Sequence, residues 1–596
     1  MAKKRKDRSA AKEAAKELEA GPSLLDRISR YPLAIVVTVG VLICLPLILY
    51  GLPTTSDDAV WHVIYFDNFA VQFLSGEIYP RWMYLMNGGL GSPTFFFYQP
   101  MSYFIALIFR PLPISSIHQL GLASSLGVIF SGIAAFYWLR EISGVRAAIV
   151  GSLFYLILPY PVAQDVYVRA AFGEAFTFVW MPLALLAAVR IIRGSNMAVA
   201  GLAFSYGMLC MTHLPITVIF SPVLVLYLVV FAEKGTFART LIKAFAGIIL
   251  GAGMAAAYII PAVAYQYYVY LNEMREGSLY FGNWLMTTNL AIYDSMRYFQ
   301  LTAVAVIAAS VCALVGSIDA DGSQRRKLIF WTIIVTACVF MTLKISAPIW
   351  SSIIMLQALQ FPWRFNSLAS LAVAAIIAVS LSTIGIHRST KSKVLAAFLL
   401  LFGGYCLVDL IVVVRESQTK PREAWKQSYD KTLYRLQEET HGRWPKAVSP
   451  SVGDLDEAMK PLPASNGSLD KAFFEGRQGT FDVVRWKPRD IEIKAENTAP
   501  DKLVISQMSF PGWTARDLDS GVAMPTELTG DLGLVSVKLP AGKHRIEFTL
   551  EKMWPEIIGD VISLISLAIG LVLLLVIRKF SNSTAPSPPN AVAEHA

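Results

Sequence analysis

Charged residues are scarce in this sequence. Asp, Glu, Lys and Arg make up 16% of its 596 residues, whereas hydrophobic residues make up 55%. An ordinary soluble domain carries about 25% charged residues, so this balance excludes a soluble globular protein of usual composition. The mean hydropathy of +0.50 agrees with that exclusion. The sequence therefore predicts a polytopic α-helical membrane protein.

Cysteine is also rare, and none occurs in the long polar region near the C-terminus. This placement excludes a disulfide framework and indicates small buried hydrophobic side chains. The seven histidines are scattered, without the spacing of a zinc site. No cofactor is indicated with certainty, and a divalent cation remains an open alternative. The five cysteines, all within apolar stretches, are Cys44, Cys210, Cys312, Cys338 and Cys406.

Long hydrophobic runs are what the sequence does contain. Twelve runs approach bilayer length, and short basic clusters fall between alternate runs. Because basic clusters stay on the cytoplasmic side, we expect both termini there, and the net charge of +9 needs no nucleic-acid partner. The predicted spans are 33–51, 117–139, 147–162, 171–191, 196–213, 214–232, 241–262, 299–317, 328–343, 366–386, 393–413 and 556–577.

Composition divides the chain into five parts. Within the long polar region, alternating apolar residues predict the strands of an extracytoplasmic β-sandwich-like domain. Those strands are 480–486, 491–494, 503–510, 534–539 and 544–550, and a charged helix is predicted at 421–441. The parts are a basic cytoplasmic tail (1–30), a transmembrane bundle (31–414) with its first outer loop at 52–116, the β-rich domain (415–553), a last transmembrane helix (554–580) and a disordered cytoplasmic tail (581–596).

The first outer loop is predicted to hold two helices at the membrane surface. Residues 59–74 place polar side chains at helical spacing, and 100–109 are too short to cross and are bracketed by prolines. We interpret 100–109 as a re-entrant or interfacial helix. The aromatic run 95–98 is interpreted as a membrane anchor, and Trp513 as a core residue of the β-rich domain.

Two adjacent carboxylates, Asp57 and Asp58, begin this loop directly after the first span. An ionised carboxylate beside hydrocarbon is costly unless it is used, so the pair is a candidate catalytic site. A second interpretation is that Ser56 or Asp57 caps the following helix. His62 lies four residues after Asp58, a spacing that favours a salt-linked pair over a metal ligand.

The second outer loop adds Asp165, Arg169 and Glu174. A carboxylate can accept a proton from a hydroxyl, and an arginine can hold a phosphate through paired hydrogen bonds. Together with the first loop, these residues predict a phosphate-linked transfer site. The alternative is a structural ion-pair cluster, which would need no ligand.

Six distinctive motifs lie outside the apolar runs or at their ends: GGLGSPTFFFYQP (88–100), YVRAAFGE (167–174), THLP (212–215), QFPWRF (360–365), SFPGWT (509–514) and PAGKHRI (540–546). The acid pair in the first outer loop, with further acids after the third span, resembles the GT-C superfamily of membrane glycosyltransferases. More specifically, the first four motifs resemble the bacterial membrane family labelled "6-pyruvoyl-tetrahydropterin synthase-related", and the last two resemble the outer domain of the neighbouring YfhO-like proteins. The scattered histidines exclude pterin synthase chemistry itself.

The resemblance implies an inverting glycosyltransferase of the bacterial cytoplasmic membrane, active at its outer face. Its donor would be a polyprenyl-phosphate-linked sugar and its acceptor an envelope glycan, lipid or protein. Asp57 or Asp58 would be the catalytic base. By the same resemblance, Asp165 and Glu174 would orient the acceptor or a metal. Side-chain chemistry makes Arg169, Arg81 and Arg364 candidates for contacting the lipid phosphate, and His62 is a further candidate beside the acid pair.

Two other classes of function remain open at this point. One is a non-enzymatic transporter of glycolipid or polysaccharide, whose acids and arginines would line a pathway. The other is an envelope scaffold with an inactive GT-C-like bundle. Transporters often repeat paired broken helices in two halves, and the absence of such symmetry from the sequence favours the enzyme.

Overall fold

The structure is a computed structural model, and it describes residues 30–270, 275–286, 293–383, 390–418, 444–465 and 468–583. Three sequence predictions lie outside these residues. They are the basic tail up to residue 29, the charged helix at 421–441 and the C-terminal tail from 584.

Helices lie at all twelve predicted spans, which confirms the polytopic helical fold. Ten are long and apolar enough to cross a membrane; Met197–Thr212 is shorter, and Gly322–Thr342 begins with a basic cluster. The helices of the described residues are α1 Pro32–Tyr50, α2 Ala59–Leu74, α3 Thr94–Phe97, α4 Met101–Ala106, α5 Ser116–Ser143, α6 Val145–Ile157, α7 Phe172–Ile192, α8 Met197–Thr212, α9 Leu214–Phe231, α10 Phe237–Met254, α11 Ala256–Tyr265, α12 Tyr293–Ser317, α13 Gly322–Thr342, α14 Ala347–Ser352, α15 Ile354–Gln357, α16 Phe365–Thr383, α17 Thr390–Gln418, α18 Leu455–Met459 and α19 Trp554–Ser583.

Local sequence explains where these helices begin and how they pack. Pro32 opens α1 at a position where no N–H is needed, and Gly51 ends it with a φ of +82°. The central helix α16 is rich in Ala and Ser, and almost all of its side chains are buried. Small residues let neighbouring helices approach closely, and α16 packs against α6, α12 and α13.

The first outer loop folds into the short helices α2, α3 and α4. The helix predicted at 59–74 is confirmed, and α4 followed by a 3₁₀ turn replaces the predicted helix at 100–109. The prediction of a membrane anchor at 95–98 is wrong for Phe95 and Phe96, which are buried. Phe95 packs edge-to-face against Phe69 and Tyr103, because this loop forms a core of its own.

The described part of the C-terminal polar region is β-rich, as predicted. Its strands are β1 Ala464–Ser465, β2 Ser468–Leu469, β3 Ala472–Phe474, β4 Gly479–Lys487, β5 Asp490–Asn497, β6 Asp501–Met508, β7 Trp513–Asp517, β8 Ala523–Met524, β9 Glu527–Thr529, β10 Leu534–Leu539 and β11 Gly542–Leu550. Two larger antiparallel sheets have the orders β3-β6-β10-β9 and β4-β5-β11-β7-β8, and β1 pairs with β2 in a small third sheet. Apolar residues of the two larger sheets form the core between them, where Trp513 is buried as expected.

The β-rich domain is docked onto the first outer loop. The Gln507 amide accepts a hydrogen bond from the Trp82 indole at 2.8 Å and donates to the carbonyl of Gly89 at 2.6 Å. A Cβ at Gly91, where φ is +83°, would lie 2.4 Å from the Trp82 ring, so this contact requires glycine. The loop that carries the acid pair is therefore held on its other side by the sheet domain.

Candidate active site

The acid pair stands where the chain leaves α1 and enters α2. The backbone N–H groups of Asp57 and Asp58 donate to the carbonyls of Val168 and Arg169, at 3.2 and 2.9 Å. Asp58 is the N-cap residue of α2, but its side chain makes no capping hydrogen bond. The Ser56 hydroxyl donates to the carbonyl of Pro53 at 2.6 Å. Asp57 is exposed and Asp58 is half-buried.

The segment predicted as the second outer loop is instead helical and buried. Pro159–Val168 continues α6 as a π-helix, a rare form that is frequent at functional sites. Ala170 then turns the chain into α7 with a φ of +51°, which is strained for a residue with a Cβ. This tight turn places Asp165, Arg169 and Glu174 side by side.

These three residues and Arg364 form a buried group, which we call the Arg169 cluster. Arg169 Nη1 donates to Asp165 Oδ1 at 2.6 Å and to Glu174 Oε2 at 3.1 Å. Arg364 Nε donates to the same Glu174 oxygen at 3.4 Å. Within the described part of the chain, both carboxylate bonds of Arg169 use Nη1, which leaves Nε and Nη2 as donors for a ligand.

Glu174 is the most fully bonded member of the Arg169 cluster. Its Oε1 accepts from the hydroxyls of Tyr160, at 2.9 Å, and Ser367, at 3.2 Å. His213 Nε2 lies 4.0 Å from Oε2. The neutral imidazole accepts from the backbone of Ile216 and so caps α9.

Two of the acids expected at the site are fully buried. Asp165 and Glu174 are 0% and 1% exposed, and both bind Arg169. Among the described residues, no three Asp, Glu, His or Cys side chains converge closely enough to hold a metal ion. The role of the two acids in orienting the acceptor or a metal stays a prediction.

The acid pair and Arg169 open into one cavity of about 620 Å³. Its aromatic wall is ordered by ring stacking: Trp363 lies parallel to Tyr298 and to Phe361, with ring centroids 4.3 Å apart in both pairs. The Arg169 guanidinium lies 5.8 Å from the Trp363 ring. The lining residues are Asp57, Asp58, Gln164, Val168, Arg169, Trp284, Met296, Arg297, Tyr298, Gln300, Phe361, Trp363, Asp409, Val412, Val413 and Glu416.

A polar pair that the sequence did not predict also lines this cavity. Arg297 of α12 binds Asp409 of α17 through both terminal nitrogens, at 2.5 and 2.9 Å, and donates from Nε to Gln164. Asp409 falls inside the predicted span 393–413, where a lone charge is itself a signal of function. Glu416, also on α17, lines the same cavity.

Five of the eight predicted site residues do not line the cavity: Asp165, Glu174, Arg364, His62 and Arg81. Arg364 lies behind it in the Arg169 cluster. His62 is buried, with Nδ1 2.7 Å from the Tyr103 hydroxyl and Nε2 accepting from the backbone of Phe172, so it ties the first loop to α7. Arg81 belongs to a different buried group.

We call that second group the Arg81 cluster. It consists of Glu77, Arg81, Arg489, Glu556 and Asp560, and it joins the first loop, the β-rich domain and α19. Arg81 contacts Glu556 at 3.3 Å and Asp560 at 2.6 Å, and Arg489 contacts Glu556 at 2.7 Å. The predicted phosphate contact of Arg81 is therefore replaced by carboxylate partners, since the guanidinium is only 1% exposed.

No protein-family model and no curated protein matches this chain. Among solved structures, arabinofuranosyltransferase AftD from Mycobacteria is similar, with a TM-score of 0.45, 11% identity, and coverage of 87% of this chain and 40% of that one. The Archaeoglobus fulgidus oligosaccharyltransferase is similar with a TM-score of 0.43 and 11% identity, over 70% of this chain and 61% of that one. Arabinosyltransferase EmbB from Mycobacterium smegmatis has a TM-score of 0.33 and 12% identity, over 87% of this chain and 63% of that one.

These three proteins are glycosyltransferases by name, and this chain spans less than two thirds of the length of each. The comparisons give no support to the YfhO-like assignment, which stays a prediction from the motifs.

Proposed function

We propose that this protein is a glycosyltransferase that moves a sugar from a polyprenyl-phosphate donor to a hydroxyl acceptor. One observation carries the proposal: the acid pair and Arg169 border the same cavity, beside membrane-spanning helices and an aromatic wall. A carboxylate and an arginine are the two groups that such a transfer needs, one for the acceptor proton and one for the leaving phosphate.

The reaction follows from these two groups. Asp57 or Asp58 takes the proton of the acceptor hydroxyl as its oxygen attacks the anomeric carbon of the donor sugar. The bond from that carbon to the phosphate oxygen breaks, and polyprenyl phosphate leaves with its negative charge stabilised by Arg169 Nε and Nη2. A single displacement inverts the configuration at the anomeric carbon. Asp165 and Glu174 are positioning residues that hold the guanidinium.

We further propose that the reaction takes place at the outer face of a bacterial cytoplasmic membrane. The basic clusters between alternate spans support this orientation. A donor carried by a membrane lipid then suits an envelope glycan, lipid or protein as acceptor.

The experiment replaces Asp57 and Asp58 separately with Asn in the full-length protein reconstituted in vesicles. Loss of the base is expected to reduce release of polyprenyl phosphate by about 10²- to 10⁴-fold in at least one variant. Asp67→Asn is the matched control, because Asp67 lies on α2 of the same loop and contacts Arg110 outside the cavity lining. The control is expected to keep its activity.

Two results would contradict the proposal. Full activity in both Asn variants would remove the acid pair from the chemistry. Donor binding by the unchanged protein without release of polyprenyl phosphate, across a panel of sugars and acceptors, would instead support the scaffold.

A further inference from the structure

A glutamine at the end of the π-helix is held in one orientation by an ion pair. Arg297 of α12 binds both carboxylate oxygens of Asp409 on α17, and its Nε donates to Gln164 Oε1 at 3.1 Å. Because a guanidinium only donates hydrogen bonds, the amide oxygen of Gln164 must face it. The NH₂ group of Gln164 is therefore directed away from Arg297.

This NH₂ group has no acceptor among the described residues, although Gln164 is only 2% exposed. A buried amide donor costs free energy when it lacks an acceptor. Gln164 lines the cavity that also contains the acid pair, so a ligand in this cavity can provide the acceptor.

Gln164 is also tied to the residue proposed to hold the donor phosphate. Its backbone carbonyl accepts from the N–H of Arg169 at 2.9 Å, and the next residue, Asp165, binds the Arg169 guanidinium. The sugar of the donor is joined directly to that phosphate, so a sugar in the cavity lies beside the turn that carries both residues. The Gln164 amide is therefore suited to contact the sugar.

We propose that the Gln164 amide recognises the donor sugar by donating a hydrogen bond to one of its hydroxyl oxygens, with Arg297 and Asp409 as positioning residues. The inference rests on the proposed function, since it concerns the sugar of that donor. Ionised side chains are costly in membrane-spanning helices and mark functional positions, and fixing this amide gives the Arg297–Asp409 pair such a role. A site built to bond a sugar hydroxyl rejects a sugar that lacks it, because the amide is then left without an acceptor.

Binding of donors that lack single hydroxyl groups tests this recognition without turnover. The full-length protein is reconstituted in vesicles, and the Kd of labelled polyprenyl-phosphate glucose, mannose and galactose is compared with that of their monodeoxy analogues. We expect the unchanged protein to bind one analogue roughly ten- to a hundredfold more weakly than its parent sugar. Equal binding of every parent and its analogues would overturn the proposal.

Two variants of Gln164 separate recognition from structural support. Gln164→Glu keeps an oxygen for Arg297 and removes the NH₂ donor, whereas Gln164→Met removes both. We expect both variants to bind the parent sugar and the discriminated analogue equally well. If the amide served only to hold Arg297, Gln164→Glu would keep the discrimination of the unchanged protein, and the proposal would be overturned.

Gln300 provides the matched control, because both ends of its amide are paired within the protein. It lines the same cavity, its Oε1 accepts from Arg297 Nη1 at 3.4 Å, and its Nε2 donates to the Tyr405 hydroxyl. Gln300→Met should therefore keep the discrimination between parent and analogue. An equal loss in Gln300→Met and Gln164→Met would assign the selection to packing of the cavity wall and overturn the role of the Gln164 amide.

The positioning role of Asp409 is tested through the same ratio of Kd values. Asp409→Asn removes one of the two oxygens that fix Arg297, so the amide is held less firmly and the discrimination should fall towards that of Gln164→Glu. Unchanged discrimination in Asp409→Asn would overturn this positioning role.

The two proposals fail in different ways. Discrimination that depends on Gln164, without release of polyprenyl phosphate, would remove the proposed function and keep the recognition. Release of polyprenyl phosphate with the same discrimination in Gln164→Glu as in the unchanged protein would remove the recognition and keep the proposed function.

Discussion

The Arg169 cluster and the Arg81 cluster are built from the same residue types. Each centres on a buried arginine with two carboxylate partners, and each joins segments that are distant in sequence. They differ in what lies next to them. The guanidinium of Arg169 borders a cavity that also contains the acid pair, whereas that of Arg81 is enclosed by the first loop, the β-rich domain and α19.

Burial and ion pairing alone therefore do not identify a ligand-binding site. The Arg81 cluster uses both terminal nitrogens of its arginine for carboxylates, and one of them also donates to the carbonyl of Ala257. The Arg169 cluster uses one nitrogen for both carboxylates and keeps donors for a ligand. The two clusters should therefore respond differently to mutation, one in stability and the other in transfer.

The largest expected effect is on stability, in Arg81→Gln. Removing this guanidinium leaves Glu556, 1% exposed, with less compensation, and breaking a buried ion pair costs about 3–5 kcal/mol. Thermal unfolding of the detergent-solubilised protein should show this loss, while transfer per folded molecule stays unchanged.

Lys552→Gln is the matched control for that measurement. Lys552 is 53% exposed and contacts Asp560 of the same cluster at 2.9 Å, so its loss should cost below about 1 kcal/mol. If Arg81→Gln kept full stability and lost transfer, the contrast between the clusters would be broken. Arg81 would then return to the phosphate-binding role that the sequence predicts.

The next effect is on catalysis, in Arg169→Lys. Lysine keeps the charge but loses the planar fork, so the carboxylates and the donor phosphate compete for one ammonium group. Losing a charge-assisted hydrogen bond to the leaving group should cost about 1.5–3 kcal/mol of transition-state stabilisation. The kcat/KM for the donor should therefore fall roughly ten- to a hundredfold. Arg364→Lys, outside the cavity lining, should change it less. Equal losses in the two variants would mean that the whole cluster serves stability only.

The sequence identifies several residues of this site, but it does not identify the residues that they contact. Charges beside apolar runs stand out by their cost, which is why Asp57, Asp58 and Arg169 are found without a structure. Partners far apart in sequence are not visible: Arg81 and Glu556 are 475 residues apart, and Arg297 and Asp409 are 112 apart. Side-chain chemistry thus suggests a phosphate for Arg81, and only the folded chain provides a carboxylate.

The fold is easier to predict from the sequence than the site, because strands show alternating apolar residues and spans show long hydrophobic runs. The period-two pattern of 480–486 and 544–550 predicts β4 and β11 directly, and spans follow from length alone. The buried π-helix at Pro159–Val168 was not predicted, because the sequence indicates a span that ends at residue 162 and a polar outer loop after it. Helical backbone there depends on packing against α7 and α17, which no local pattern encodes.

The smallest expected effect comes from replacing residues that have a strained backbone, one at the site and one elsewhere, with glycine. Ala170 and Arg477 both have positive φ, +51° and +55°; Ala170 follows Arg169, and Arg477 is exposed in the β-rich domain. A left-handed backbone costs an L-residue about 1–2 kcal/mol, and the greater freedom of unfolded glycine offsets about 0.5–1 kcal/mol of that. Replacing either residue with glycine should therefore stabilise the protein by up to about 1 kcal/mol in thermal unfolding.

The two glycine variants should differ in kcat in the transfer assay. The strained turn at Ala170 fixes Arg169 against the acid pair, so Ala170→Gly should loosen that geometry and lower kcat while stability rises. Arg477→Gly should gain stability with kcat unchanged. If Ala170→Gly gained stability and also kept full kcat, the turn would be an incidental feature of the fold, and the position of Arg169 would depend on Asp165 and Glu174 alone.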